Sequence, residues 1–193
     1  MADVTENEKS EVSLIVEDGS CVQNANCYVS LEYANAYMKN TGRSDWESLT
    51  DDDKRARLIN ATNYIDRTYS KIGWKGIKKY HRNQPLCFPR VELFDKDGYE
   101  VEGIPEELKK AVCEAGFISI STSLFTVKDA SGSIKSQKVD VIEVEYYSET
   151  ETNGEYISRF TVLDSLLSDF YKTKNSGSRV KRAIHTDILG GVI

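Results

Sequence analysis

The sequence predicts a mainly α-helical fold, a small bundle of three or four helices with a protruding β-hairpin and extended termini. Two segments with apolar residues at helical spacing, 51–71 and 105–125, predict the main packing surface. A run of β-branched and aromatic residues from Val139 to Tyr147 predicts a strand. At 193 residues the chain is long enough for one domain with a substantial core.

The first predicted helix covers residues 31–41. Ser30 is a suitable N-cap, Ala34 and Met38 lie at helical spacing, and Gly42 is a suitable stop. We therefore expect a short amphipathic helix here.

The two longer predicted helices are expected to pack against each other. Thr50 is a natural N-cap for the first, and three aspartates follow it at the positive end of the helix dipole. Pro105 is favoured at the start of the second. Both helices carry an apolar stripe that must be buried. The residues expected to be buried together are Leu58, Ile65, Leu108, Val112 and Ala115.

The β-structure is predicted from turn signals. Asp97-Gly98 predicts a small hairpin, and Asn153-Gly154 predicts a turn after the strand Val139 to Tyr147. Residues Glu155 to Phe160 would then return antiparallel, which gives a β-hairpin at about 138–161. A last short helix is predicted to follow it and to end near 172.

The chain divides into three parts. Residues 1–11 are predicted to be a flexible N-terminus, 12–171 a helical domain with the β-hairpin, and 172–193 a C-terminal tail. The tail combines cations with apolar residues that it cannot bury alone, so we expect it to dock on a partner protein. The residues expected to make that contact are Lys174, Arg179, Lys181, Arg182, Ile184, Ile188, Leu189, Val192 and Ile193.

Charge is strongly segregated along the chain. The net charge is −6, yet residues 54–90 carry ten bases and one acid, while residues 1–53 carry twelve acids and three bases. This pattern favours association with copies of the same chain or with a charged neighbour. It does not favour binding nucleic acid over the whole surface. No apolar run approaches the length of a membrane helix, and the acidic first residues are unlike a signal peptide.

No motif indicates catalysis. The sequence contains no phosphate-binding loop, nucleophile elbow or zinc-protease motif. The two histidines, His81 and His185, have no carboxylate placed to orient them, and the four cysteines lack metal-ligand spacing. The sequence therefore predicts a protein that is not an enzyme, with no catalytic residues, no metal and no cofactor.

One basic segment allows two interpretations. Residues 67–90 carry seven cations and no acid, with aromatic residues between them, a pattern typical of single-stranded nucleic-acid binding. The cations that would contact nucleic acid are Lys75, Lys78, Lys79 and Arg82. In the other interpretation, which the acidic character of the whole chain favours, Trp74 and Phe88 belong to the core and the cations face an acidic neighbour.

Several short motifs in a fixed order resemble a known family. They are Val16-Glu17-Asp18-Gly19, Ala25-Asn26-Cys27-Tyr28-Val29-Ser30-Leu31, Ala61-Thr62-Asn63-Tyr64-Ile65-Asp66, Trp74-Lys75-Gly76, Leu86-Cys87-Phe88-Pro89-Arg90, Asp95-Lys96-Asp97-Gly98, Ile104-Pro105 and Leu163-Asp164-Ser165-Leu166-Leu167. Their order resembles small tailed-bacteriophage proteins often labelled DnaT-like single-stranded DNA-binding proteins. These in turn look like head–tail adaptor (head completion, connector) proteins. The resemblance covers about 12–171. It departs at Phe88, where the family usually has Trp, and at Asp140, where it usually has Gly.

The resemblance implies a structural virion protein. Such a protein forms a homo-oligomeric ring, of twelve subunits in the family, between the portal and the tail or neck proteins around the DNA channel. Its expected partners are itself, the portal protein and a tail-side neck or tail terminator protein, with at most weak, non-specific DNA contact and no membrane. Its expected location is the head–tail neck of the virion, assembled in the host cytoplasm.

In a ring of this kind, we expect the C-terminal tail to bind the portal. Tyr146, Tyr147 and Tyr156 are then expected to make intersubunit contacts. The alternative function is that of a single-stranded DNA-binding replication accessory protein.

Overall fold

The computed structural model describes residues 11–125, 136–139, 142–146 and 158–172. Within these ranges the chain forms five α-helices: α1 (Leu31–Asn40), α2 (Ser44–Glu47), α3 (Asp51–Ile72), α4 (Glu106–Ser121) and α5 (Thr161–Leu167). The strands are β1 (Ile77–Lys78), β2 (Arg90–Val91), β3 (Ser136–Val139), β4 (Ile142–Tyr146) and β5 (Ser158–Phe160). The prediction of a mainly α-helical fold is therefore confirmed. The described residues form five helices where three or four were predicted, because α2 is too short to show an apolar period in the sequence. In this part of the chain, no helix is both long and apolar enough to span a bilayer.

Helix α1 begins and ends almost where the sequence predicts. The Ser30 side chain accepts a hydrogen bond from the backbone N–H of Tyr33, as an N-cap does. The short helix α2, which the sequence does not predict, buries Trp46, and the Trp46 indole N–H donates to the side-chain oxygen of Asn35 at 2.9 Å. α2 therefore joins α1 to the core through one large side chain.

The core lies mainly between α3 and α4. Thr50 caps α3 by accepting from the backbone N–H of Asp53, and Gly73, with φ at 109°, ends it. The five residues predicted to be buried together, from Leu58 to Ala115, are all fully buried, which confirms the prediction. The two helices pack closely at Gly116 of α4, where an added Cβ would lie 3.4 Å from Cδ2 of Leu58.

Helix α4 is shorter than predicted. It ends at Ser121, because the backbone of Thr122 is extended. Beyond it, Leu124 is buried and the ring of Phe125 packs edge-on against Tyr64 of α3, with centroids 5.7 Å apart. The apolar residues that extend the helical pattern to 125 thus reach the core from a turn.

The small hairpin predicted around Asp97-Gly98 is confirmed. Phe94 and Glu100 form an antiparallel bridge, and the backbone N–H of Asp95 donates to the carbonyl of Tyr99 at 2.9 Å. The Asp95 carboxylate closes the turn by accepting from the backbone N–H groups of Asp97 and Tyr99.

The second β-region forms a three-stranded antiparallel sheet in the order β3-β4-β5. The prediction of one strand from Val139 to Tyr147 is wrong. Val139 is the last residue of β3 and Ile142 the first residue of β4, and the two residues pair antiparallel, so the chain reverses between them. The apolar run continues through both strands, so composition does not reveal the reversal. The predicted antiparallel return is confirmed, since β5 pairs with β4. The predicted turn at Asn153-Gly154 lies outside the described residues.

Candidate nucleic-acid interface

The basic segment leaves α3 along a backbone that is fixed to the C-terminal part of the domain. After Gly73, Trp74 forms an antiparallel bridge with Tyr171, and the backbone N–H of Lys75 donates to the carbonyl of Phe170 at 2.8 Å. Strand β1 then pairs antiparallel with β2, with Ile77 opposite Val91. The segment is therefore a ribbon joined to the core at its base.

Arg90 holds the base of this ribbon together. Its Nε donates to the carbonyl of Lys75 at 2.7 Å, one Nη donates to the carbonyl of Gly76 at 2.8 Å, and the other to that of Cys87 at 3.0 Å. Partial burial lowers the pKa of the Arg90 guanidinium below its ordinary value. Arg90 is one of the seven cations of the basic segment, but its hydrogen bonds are structural.

Three of the four aromatic residues in the segment belong to the core. Tyr69 and Phe88 are fully buried and Trp74 nearly so, with the rings of Trp74 and Phe88 packed edge-to-face at 5.0 Å. The interpretation that places Trp74 and Phe88 in the core is confirmed. Tyr80 is half-buried, and its hydroxyl donates to the carbonyl of Gly19 at 3.4 Å. These aromatic residues do not form an exposed platform on which bases could stack.

A hydrogen-bonded group beneath the segment fixes residues 87 and 88. The hydroxyl of Tyr28 donates to the Asp66 carboxylate at 2.7 Å and accepts from the backbone N–H groups of Cys87 and Phe88. Asp66 also accepts from the N–H of Cys87 at 2.9 Å. Burial raises the pKa of Asp66 above its ordinary value and that of the Cys87 thiol to about 11. Sequence reasoning missed this group, although all four residues lie within the motifs of the resemblance.

The four cations Lys75, Lys78, Lys79 and Arg82, which lie on and beside β1 and the 3-10 turn after it, are called the basic edge below. Two of them are tied to backbone carbonyls: Lys75 Nζ donates to Asp169 at 2.7 Å and Lys78 Nζ to Gln84 at 3.3 Å. Lys79 and Arg82 are exposed. Among the described residues, none of the four makes an ion pair with an acid. Lys79 and Arg82 are therefore the cations best placed to bind an anion.

A second surface feature lies beside β2. The hairpin after this strand, residues 92–102, exposes half of Phe94 and 74% of Tyr99, and we call it the acidic hairpin because it carries five acids and one lysine. The sequence predicted its turn but not the exposure of its aromatic side chains. The alternation of acids with aromatic residues was the signal that could have indicated it.

The other predicted contact residues lie mostly outside the described part. Tyr146 is the last residue of β4, where its backbone pairs with Ser158. Tyr147, Tyr156, residues 1–10 and the predicted partner-binding residues of the tail, from Lys174 to Ile193, fall outside the described ranges. The intersubunit and portal contacts assigned to them remain predictions.

The described histidine, cysteine and acidic side chains do not form a metal site. Within the described ranges, no group of three or more histidine, cysteine, aspartate and glutamate residues could hold a metal ion. His81 is exposed on a 3-10 turn, whereas Cys27 and Cys113 are buried thiols. The exposed histidine therefore lies in a different environment from the two buried cysteines.

Comparison with known proteins gives one finding. A family model described as "Putative DnaT-like ssDNA binding protein" matches residues 12–183, which is most of the chain. Searches of curated proteins and of solved structures gave no match. The family match includes the ribbon, the acidic hairpin and both long helices.

Proposed function

From the premise that the chain belongs to the DnaT-like ssDNA binding protein family, we propose that its basic edge binds the phosphate backbone of DNA weakly and without stacking the bases. The observation that carries this proposal is the exposure of Lys79 and Arg82 on a ribbon that has no acid between residues 67 and 90. Cations of this kind bind phosphates electrostatically and without reading sequence.

The aromatic residues explain why the binding should be weak. Stacking of a base on an exposed aromatic side chain contributes about 1–3 kcal/mol per base in proteins that hold single strands tightly. Here Tyr69, Trp74 and Phe88 pack inside the domain and Tyr80 is half-buried, so the segment offers little of that contribution. Phosphate contacts remain, and they depend strongly on salt.

Replacing the two exposed cations, Lys79→Ala with Arg82→Ala, is expected to weaken DNA binding by about tenfold at low salt. Fluorescence anisotropy with labelled oligothymidylate, repeated over a series of salt concentrations, measures the effect. We expect wild-type Kd on the order of 10 µM at physiological salt, and a salt slope that falls by about 0.7 for each phosphate that the variant no longer neutralises.

The matched control is Lys39→Ala with Lys96→Ala, which removes two exposed lysines from other elements and changes the net charge equally. This control should keep wild-type affinity. Equal losses of affinity in both double variants would mean that only net charge matters and that the basic edge is not the site. Sub-micromolar affinity that requires Lys75, Lys78 and Lys79 would instead support the replication accessory function.

We propose further that this contact is made by a structural, non-enzymatic virion protein: a head–tail adaptor in a ring between the portal and the tail or neck proteins. The burial of Trp74 and Phe88 favours this role over strand capture in replication, because a channel wall needs only weak contact with passing DNA. The segregated charges also suit a ring, in which each subunit contacts its neighbours through two different surfaces.

Removing the residues after Lys172 is expected to leave a folded subunit that no longer joins heads. The physical reason is that the cations and apolar residues of the tail are the predicted contact with the portal. The measurement is electron microscopy of particles made with the truncated and the full chain, together with circular dichroism of each protein. Truncated protein that still completes heads would place the portal contact elsewhere.

The neighbouring genes distinguish the two proposed functions. Genes for a portal and capsid beside this one would favour the adaptor, whereas primase and helicase genes would favour replication.

A further inference from the structure

The acidic hairpin presents one exposed aromatic residue beside two exposed glutamates. Phe94 lies opposite Glu100 in the antiparallel bridge, and Glu102 follows two residues after Glu100. All three are exposed, with half of the Phe94 surface accessible. On the inner face, Leu93 is fully buried and accepts a backbone hydrogen bond from Val101. Leu93 therefore anchors the hairpin to the core, while Phe94 and the glutamates stay exposed.

The basic edge, together with the neighbouring Ile77, resembles the exposed part of the acidic hairpin but carries the opposite charge. Ile77 of β1 is 48% exposed, and Lys79, two residues further on, is exposed as well. Arg82 follows on the 3-10 turn, and the stretch from 75 to 82 contains no acid. Each surface is therefore an exposed apolar side chain beside charges of one sign, and the sign differs between the two.

The two surfaces do not neutralise each other within one chain. Among the described residues, no ion pair joins an acid of the hairpin, residues 92–102, to a cation of the basic edge. Their charges are therefore available to another molecule. A partner that presents an apolar residue among cations would suit the hairpin, and a second copy of this chain presents one.

We propose that the acidic hairpin of one copy binds the basic edge of a second copy. In this contact Phe94 packs against Ile77 while Glu100 and Glu102 face Lys79 and Arg82. The proposal concerns free subunits, is separate from the ring contacts proposed above and does not depend on DNA binding. Because both contacts use the same cations, DNA and a second copy compete for the basic edge. A hairpin of this size buries less surface than a stable dimer needs, so the association should be weak and sensitive to salt.

Reversal of charge on each surface tests the contact. The hairpin variant is Glu100→Lys with Glu102→Lys, and the edge variant is Lys79→Glu with Arg82→Glu. Sedimentation of the full chain at low ionic strength should show association for wild type and monomers for each variant alone. An equimolar mixture of the two variants should associate again. The unchanged hairpin of the edge variant then faces the unchanged edge of the hairpin variant, and the two reversed surfaces are also complementary.

A matched control separates the contact from general charge effects. Glu32→Lys with Glu47→Lys changes the net charge as the hairpin variant does, at exposed positions of α1 and α2, and should associate as wild type. Circular dichroism of every variant checks that each is folded. A wild-type chain that stays monomeric at low ionic strength, or a mixture that stays monomeric, overturns the proposal.

DNA binding by the same proteins distinguishes this proposal from the proposed function. The hairpin variant should keep its affinity for labelled oligothymidylate, while the edge variant should lose it. Loss of DNA binding in the edge variant without renewed association in the mixture would overturn the self-association alone. Association restored in the mixture, with DNA affinity unchanged in the edge variant, would overturn the DNA site alone. Added oligothymidylate should also shift associated wild-type protein towards monomers.

Discussion

Leu58→Asp is expected to abolish soluble expression. Leu58 is fully buried on α3, where its side chain packs next to Gly116 of α4 within the hydrophobic core. Truncating a leucine in such a site to alanine already costs about 3 kcal/mol. An unpaired buried charge adds several more, and a domain of this size has about 5–15 kcal/mol in total. The soluble fraction after expression measures the effect of Leu58→Asp. Leu58→Ala should still fold, so urea unfolding of this variant gives the loss of unfolding free energy.

The control is Asn60→Asp, which introduces the same side chain two residues further along α3 at an exposed position. This variant should express as wild type does. Soluble, cooperatively folding Leu58→Asp protein would contradict the packing of α3 on α4, and so would a Leu58→Ala variant of unchanged stability.

Gly76→Ala is expected to destabilise the protein by about 3 kcal/mol and to separate β1 from β2. A Cβ at this position would lie 2.5 Å from the carbonyl oxygen of Val91, so the backbone has to move. The φ angle of 64° adds about 1 kcal/mol for any residue with a side chain. Because Arg90 donates to the Gly76 carbonyl, displacement here also disturbs the support of the basic edge.

Gly103→Ala separates the two causes of destabilisation, which are the clash with the Val91 carbonyl and the positive φ angle. Gly103 has the same φ of 64°, but a Cβ there would have no neighbour within 4 Å. It should therefore lose only the part of the stability that comes from the backbone angle. Urea unfolding of both variants gives the difference, and DNA binding should weaken in Gly76→Ala alone. Equal losses of stability in the two variants would refute the close approach of residue 76 to Val91.

The helices could be predicted from the sequence because local chemistry determines their ends. Ser30 and Thr50 each accept a backbone N–H one turn into the helix, and Gly73 ends α3 with a backbone angle that other residues avoid. Their apolar stripes have to face each other, so the buried set from Leu58 to Ala115 followed from spacing alone.

The candidate site depended on information that is not local. Arg90 could not be distinguished from Lys79 or Arg82 in sequence, since its role comes from three carbonyls brought together by the ribbon. The sequence pattern allowed Trp74 to be either a stacking surface or part of the core, and only its contacts with Tyr69 and Phe88 decide the matter. Short strands such as β1 are also determined by contacts with a partner strand that is distant in sequence.

The hydrogen bonds of Arg90 also have an evolutionary consequence. One side chain ties residues 75 and 76, at the start of the ribbon, to residue 87 near its end. The tip between them, His81 to Asn83, is exposed. We therefore expect changes in the length or charge of this tip to leave the packing of α3 and α4 intact. The chain can acquire a new binding specificity at this loop while the cost to its fold stays small, which makes the tip the natural place for relatives to diverge.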